Sequence, residues 1–270
     1  MINSIIHNLK TPHKIPVKIF KKIKFIINKL NYDYAKYENQ QNIKFSNLNL
    51  NRSKGIEKLR KIKSQLNFLN REMSSEHEVL FSSISLLSNL KISKILEIGT
   101  YDGANAYLLS QIFQNAEIET IDLSKSDEDF KNFYNRKKNL DMFVKNRNTL
   151  IAKSNKINFT EMNSIKLIQM DKQKFDLIWI DGAHGYPVAC IDLINSINLL
   201  NDDGIILVDD ILLSKVDNDR MYLSSAGIDT LNELKKNSII DFNLIFKRLD
   251  ANSNCDKSKI KYIAFVKKKR

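Results

Sequence analysis

Several residue types that mark particular classes of protein are scarce in this chain of 270 residues. Its two cysteines, Cys190 and Cys255, are too few for a disulfide framework and lie in no metal-ligand spacing, as in proteins of a reducing cytosol. No apolar stretch approaches the roughly 18 residues of a membrane-spanning helix, and the N-terminus lacks a signal-peptide core. Glycine and proline form no linker, and there are no internal repeats. These absences predict a cytoplasmic protein, soluble or at most peripheral to a membrane.

Acidic residues are scarce at the start of the chain, where the first is Asp33. Sixteen basic and six acidic residues fall in residues 1–90, so this part carries most of the net charge of +12. Residues 17–30 place apolar side chains at helical spacing between lysines. Such a helix lies on an anionic membrane surface, or packs on the rest of the protein or on a second copy in a homo-oligomer. We predict a basic helical extension over residues 1–72 and a separate domain over residues 73–270.

The most informative segment is residues 94–110, KILEIGTYDGANAYLLS. An apolar run that contains one acid, Glu97, stops at Gly99, and a helical pattern begins after Gly103. A strand, a glycine turn and a helix in this order form a ligand cradle, because the amides at the helix start point at the ligand. The spacing E-x-G-x-x-x-G differs from the G-x-G-x-x-G of dinucleotide-binding proteins, which makes an NAD-dependent oxidoreductase the poorer interpretation.

Further strands are predicted downstream, each with polar residues at its end. Residues 118–124 form a short β-rich run with Asp122 near its end, where an acid can accept both hydroxyls of a ribose. Ser164 follows a third predicted strand at a position where such folds often contact adenine, although serine is also an ordinary turn residue. Residues 175–180 are apolar apart from one acid, as expected of a strand buried on both faces, and Asp181 follows them. A last run ends in Asp209 and Asp210.

These segments together resemble class I S-adenosylmethionine-dependent methyltransferases. The resemblance covers about residues 73–270 and implies an α/β fold: a Rossmann-like, doubly wound, seven-stranded sheet, mostly parallel, with an antiparallel C-terminal strand pair. It also implies that S-adenosyl-L-methionine is the cofactor. The residues it assigns to cofactor binding are Glu97, Gly99, Thr100, Tyr101, Gly103, Asp122, Ser164 and Asp181.

The acids at the strand ends are similar to those of metal-dependent O-methyltransferases of the catechol, caffeoyl-coenzyme A and macrolide-sugar types. Carboxylates at neighbouring strand ends suit Mg²⁺ or Mn²⁺, so Asp181, Asp209 and Asp210 are the predicted metal ligands. The alternative is that Asp181 and Asp209 cap loops and helix starts without a metal. The catechol type has Asp-Asn where this chain has Asp209-Asp210, and the D-G-x-H arrangement of Asp181 and His184 favours the sugar-modifying branch. There His184 would be the general base, with Asp181 as its catalytic partner.

The sequence therefore predicts an O-methyltransferase that acts on a small molecule or a sugar hydroxyl. Residues 214–225, with Arg220 and Tyr222, are the predicted lid over the acceptor. Two alternatives stay open. One is a nucleic-acid methyltransferase that uses the basic N-terminal region as its grip, although the catalytic part is nearly neutral. The other is a non-catalytic protein at the membrane surface with the same fold.

Overall fold

The computed structural model describes residues 15–66, 75–132, 139–170, 173–213 and 224–269, with side chains from Lys22 onward. Residues 214–223 of the predicted lid lie outside the described residues. Seven strands form one sheet in the order β3-β2-β1-β4-β5-β7-β6. Their bounds are β1 Lys94–Ile98, β2 Glu117–Asp122, β3 Ile157–Glu161, β4 Phe175–Ile180, β5 Leu200–Leu212, β6 Ile240–Phe246 and β7 Lys261–Lys268.

The first five strands are parallel, and β7 runs antiparallel to both β5 and β6. The predicted fold class is thereby confirmed. The carboxyl ends of β1, β2, β4 and β5 lie along one edge of the sheet, on either side of the point where the strand order reverses between β1 and β4. Open α/β sheets bind their ligands at such a point.

Helices cover both faces of the sheet. The described α-helices are α1 Ile15–Leu30, α2 Tyr34–Ser46, α3 Arg52–Gln65, α4 His77–Ile84, α5 Ala104–Ile112, α6 Glu128–Asn132, α7 Leu140–Ile151, α8 Val188–Leu199, α9 Ala226–Lys236 and α10 Ala251–Asn254. Asp33 and Asn51 cap α2 and α3, each accepting a backbone N–H three residues on. No described helix is long and apolar enough to cross a membrane.

The central strands alternate between two hydrophobic clusters, one on each face of the sheet. In β4, Leu177 and Trp179 pack into one cluster, whereas Ile178 and Ile180 pack into the other. The first cluster also contains Phe45 from α2, together with Leu50 and Leu59. Residues of the predicted N-terminal extension therefore share a core with the sheet. The boundary after residue 72 stays a prediction, since residues 67–74 lie outside the described part of the chain.

Candidate active site

The glycine turn after β1 has a backbone that only glycine adopts comfortably. Gly99 has a φ of +101°, and its N–H donates to the carbonyl of Ile121 at the end of β2 at 2.9 Å. A Cβ on Gly99 would lie 2.4 Å from the carbonyl oxygen of Asp181. The missing side chain thus lets the ends of β1, β2 and β4 converge. Gly103, with a φ of +78°, precedes the first residue of α5.

Asp122 is the last residue of β2, and its carboxylate is tied to the backbone around it. One oxygen accepts the N–H of Tyr101 and the other accepts the N–H of Leu123, both at 2.8 Å. A carboxylate oxygen can accept more than one hydrogen bond. Because Tyr101 lies two residues after Gly99, its hydrogen bond to Asp122 fixes the carboxylate relative to the glycine turn. Asp122 is the residue predicted to bind the ribose.

Glu97 lies behind the turn. Its carboxylate is fully buried and accepts hydrogen bonds from Asn105 Nδ2 at 2.7 Å and from the hydroxyl of Thr120. The hydroxyls of Thr100 and Thr120 are 2.6 Å apart. Burial raises the pKa of Glu97 to about 7, although these hydrogen bonds act in the opposite direction. Three residues that were predicted to bind the cofactor do not line the cavity at this edge of the sheet: Glu97, Thr100 and Gly103. They support the glycine turn instead.

The raised pKa of Glu97 predicts a pH-dependent stability. The folded state favours the protonated acid, so this contribution is fully present below the ordinary pKa and is lost as pH rises through about 7. The isosteric Glu97→Gln variant cannot ionise. Between pH 5 and pH 8 the wild type should lose about 1–3 kcal/mol of unfolding free energy relative to this variant. Denaturant titrations across that range measure the difference, and parallel pH profiles of the two proteins would contradict the assignment.

A cavity of about 480 Å³ opens at this edge of the sheet, a size typical of small-molecule sites. It brings together many of the residues predicted from the sequence: its lining includes Gly99, Tyr101, Asp122, Ser164, Asp181, His184 and Asp210. It also includes three basic residues that the sequence prediction missed, Lys247, Arg248 and Lys261. The cavity therefore extends from the glycine turn to the ends of β4 and β5.

The pair Asp209-Asp210 lies where β5 departs from regular pairing with β7. The register shifts between Val208 and Ile211, and Asp210 has a φ of +56°, a conformation that is unusual for a residue other than glycine. The ammonium group of Lys247 contacts both carboxylates, at 2.5 Å from Asp209 Oδ2 and closer still to Asp210 Oδ1. Lys261 Nζ is 2.6 Å from Asp210 Oδ2.

These contacts govern the charges at the strand ends. Burial alone would lower the pKa of Lys247, but the charges of Asp209 and Asp210 outweigh it and raise that pKa above its ordinary value. Burial would likewise raise the pKa of Asp209, but the charge of Lys247 holds it below the ordinary value. Both groups are therefore ionised at neutral pH.

The predicted metal ligands do not fit a divalent cation in this arrangement. Three of the four carboxylate oxygens of Asp209 and Asp210 already accept hydrogen bonds from lysine ammonium groups. Among the described residues, no group of three or more histidine, cysteine, aspartate or glutamate side chains is placed to hold a metal ion. Asp181 lies near the pair, with its side chain 39% exposed.

His184 lies between the ends of β4 and β5. Its Nε2 is 3.6 Å from Asp181 Oδ1 and 3.6 Å from Asp210 Oδ2. Burial lowers the pKa of His184, while the charges of Asp210 and Asp209 act in the opposite direction. A neutral imidazole that lines a pocket beside the carboxylate of Asp210 can accept a proton and have the resulting charge stabilised.

Comparison with known proteins identifies the central part of the chain. A family model described as a methyltransferase domain matches residues 96–211. Residues 96–211 are a methyltransferase domain. The predicted resemblance to methyltransferases is thereby confirmed. No curated protein matches the sequence.

Solved structures share the fold of this methyltransferase domain. The O-methyltransferase TomG from Streptomyces achromogenes, in complex with SAM, is 14% identical with a TM-score of 0.54, over 88% of this chain and 99% of that chain. The methyltransferase PaMTH1 from Podospora anserina, bound to SAH, is 18% identical with a TM-score of 0.51, over 80% of this chain and 88% of that chain. At these identities the likeness establishes the class I fold.

The matched methyltransferase domain contains the residues predicted for the site, but it ends before Lys247 and Lys261. These two lysines lie 38 and 51 residues beyond their carboxylate partners in the sequence. No local motif places them at the site. The only signal in the sequence was that the predicted strand at residues 241–248 ends in basic residues.

Proposed function

We propose that the protein is an S-adenosylmethionine-dependent O-methyltransferase that acts on a hydroxyl of a small molecule or sugar. The observation that supports it most is the continuity of the cavity. One end is formed by Gly99 and Asp122, the other by His184 and Asp210. A cofactor held at the first end would have its reactive part directed at the histidine. The SAM and SAH bound to TomG and PaMTH1 agree with this proposal.

The cofactor end has the groups that an adenosine needs. Asp122 is fixed by two backbone N–H groups at the end of β2, and a carboxylate held there can accept the ribose hydroxyls. The absence of a side chain on Gly99 lets the ends of β1 and β4 come together at this end of the cavity, and Ser164 lies on the cavity wall beyond the end of β3, at the predicted adenine position. The cofactor, when bound, supplies an electrophilic methyl group.

The other end of the cavity has the groups that prepare an acceptor hydroxyl. His184 accepts the hydroxyl proton at Nε2, and the oxygen is then free to attack the methyl carbon. Asp210, 3.6 Å from Nε2, stabilises the imidazolium as it forms, and Asp181 lies at the same distance on the other side. Most of the rate enhancement arises from holding the two substrates in line and balancing the developing charge.

Calorimetry with S-adenosylmethionine tests the cofactor assignment, and a screen with methyl-labelled cofactor tests the reaction. We expect stoichiometric binding and label transfer to phenols, polyols or sugars, with equal transfer in the presence of a chelator. The screen includes duplex DNA and structured RNA. Transfer to nucleic acid alone would contradict the small-molecule assignment, and absence of cofactor binding would contradict the proposed function as a whole.

Replacing Asp122 with alanine should weaken S-adenosylmethionine binding by about 1–3 kcal/mol, because the ribose hydroxyls lose their acceptor. Calorimetric affinities of the variant and the wild type measure the effect. Asp202→Ala is the matched control, since Asp202 is an exposed acid near the start of β5, at the opposite edge of the sheet. Equal affinities for Asp122→Ala and wild type would remove Asp122 from the binding site.

A further inference from the structure

The position of Lys247 between Asp209 and Asp210 supports an inference that rests on the proposed function and goes beyond it. The side chains of both aspartates are almost fully buried, at 3% and 7% exposed. Buried carboxylates at adjacent positions repel each other and require a positive charge. Lys247 and Lys261 donate hydrogen bonds to three of the four carboxylate oxygens. The charge that a divalent cation would supply at these strand ends is thus supplied by the chain itself.

The backbone holds Lys247 firmly in this position. Its N–H donates to the carbonyl of Lys261 at 3.0 Å, and its carbonyl accepts the N–H of Glu76 at 2.8 Å. The preceding residue, Phe246, is held by Gln41 of α2, whose side chain bonds both the N–H and the carbonyl of Phe246, at 2.9 and 3.0 Å. The Cα of Lys247 is therefore fixed relative to the two carboxylates, so that only the side-chain torsions remain to be ordered when the ammonium group binds them.

We propose that the ammonium group of Lys247 takes the place of a divalent cation between Asp209 and Asp210, so that this methyltransferase works without a metal. An ammonium group and a divalent cation exclude each other there, because they compete for the same oxygens and carry like charges. Lys247 acts as a positioning residue: it fixes Asp210, which in turn lies beside His184.

Mn²⁺ is the probe, because free Mn²⁺ gives an electron paramagnetic resonance signal that disappears on binding. The wild type should leave this signal unchanged, and Lys247→Ala should bind Mn²⁺ at the uncovered carboxylates. Lys247→Arg keeps the charge and should bind at least tenfold more weakly than Lys247→Ala. Lys268→Ala is the matched control, since Lys268 pairs with Asp202 at 3.5 Å at the far edge of the sheet. It should behave as the wild type.

Stoichiometric Mn²⁺ binding by the wild type would overturn the proposal, as would a folded Lys247→Ala variant that binds no Mn²⁺. If that variant does not fold, the wild-type titration alone decides. S-adenosylmethionine calorimetry is run on the same samples. Failure of cofactor binding would count against the proposed function, whereas Mn²⁺ binding by a protein that also binds the cofactor would count only against the role of Lys247.

A second inference rests on an independent feature, the exposed stripe of α1. Ile23, Ile26, Ile27 and Leu30 recur at the spacing of one helix face, and they are 50%, 48%, 50% and 80% exposed. Asn28, on the polar side of the helix, donates from Nδ2 to the carbonyl of Cys255 at 3.1 Å. The helix is thus attached to the domain by its polar side, and its apolar stripe points away from the domain.

The charges around the stripe indicate what covers it. Lys22, Lys24 and Lys29 are exposed, and α1 contains no acidic residue. A second copy of this chain would bring the same positive charges to the contact and would be repelled. An anionic lipid surface offers both an apolar interior for the stripe and negative charge for the lysines. We propose that α1 docks the protein on anionic membranes.

Flotation with lipid vesicles tests this proposal. The full chain should float with phosphatidylcholine vesicles that contain 30% phosphatidylglycerol, remain unbound with phosphatidylcholine alone, and be released by high salt. The double variant Ile23→Ser/Ile27→Ser should lose at least tenfold in the bound fraction. Ile168→Ser is the matched control, because Ile168 is 75% exposed elsewhere on the surface, and it should bind as the wild type.

Two results would overturn membrane docking. One is equal vesicle binding by the double variant and the wild type, or no vesicle binding by either. The other is a dimer in light scattering that the double variant dissociates, which would show that the stripe is covered by a second copy. Cofactor affinity, measured on the same samples, confirms that each variant is folded.

Discussion

A Gly99→Ala variant is expected to lose measurable S-adenosylmethionine binding and to unfold more readily than the wild type. The Cβ of the new side chain would lie 2.4 Å from the carbonyl oxygen and 2.8 Å from the carbonyl carbon of Asp181. The φ of +101° is itself strained for any L side chain. Relief of both requires β1 and β4 to separate at their ends, which displaces the cofactor site and costs about 1–3 kcal/mol of stability or more.

Gly182→Ala is the matched control for this effect. A Cβ on Gly182 would meet Ile98 Cγ2 at 3.4 Å and the Asp192 carboxylate at 3.5 Å, which are ordinary contacts. Thermal unfolding of both variants and calorimetry with the cofactor distinguish them. Cofactor affinity equal to that of the wild type in Gly99→Ala would remove the glycine turn from the binding site.

A His184→Ala variant should lose about 10²–10⁴ in turnover with the acceptor identified in the screen, while its affinity for S-adenosylmethionine changes little. The reason is that the imidazole accepts the hydroxyl proton and does not hold the cofactor. Because burial lowers the pKa of His184, the wild-type rate should rise with pH below the ordinary value of 6.5 and be constant above it. The variant should lack this dependence.

His184→Gln keeps hydrogen bonding without the base and should resemble the alanine variant in turnover. If His184→Ala instead retains near-normal turnover, the proton goes to solvent and His184 is a packing residue. A lower cofactor affinity with unchanged turnover would place His184 in the cofactor site rather than beside the acceptor.

The sequence predicted β1 and β4 well because both are short, mostly apolar and bounded by polar residues. The predicted run at residues 175–180 coincides with β4. The prediction for β5 began too late, at residue 205, since the strand starts at Leu200 with a polar stretch that no hydrophobic pattern marks. Helices α2 and α3 were not predicted individually, because polar side chains outnumber apolar ones in both.

At the site, the sequence identified the residues at the strand ends, because parallel strands bring their carboxyl ends to one edge. It could not show that Glu97 and Thr100 face away from the cavity, which depends on their contacts with Thr120. It also missed Lys247, whose place is fixed by an antiparallel strand that returns from a distant part of the chain. The expectation of a metal followed from counting the acids without this lysine.

The two hydrogen bonds between Gln41 and Phe246 have a consequence for what counts as the catalytic unit. A chain shortened to residues 73–270 would keep every residue that the sequence assigned to the site. It would nevertheless lack helix α2 with Gln41, and the end of β6 would lose the two hydrogen bonds that hold Phe246. Catalysis that depends on Lys247 would then be sensitive to substitutions or deletions some two hundred residues earlier in the chain. The helices affected contribute no reacting group.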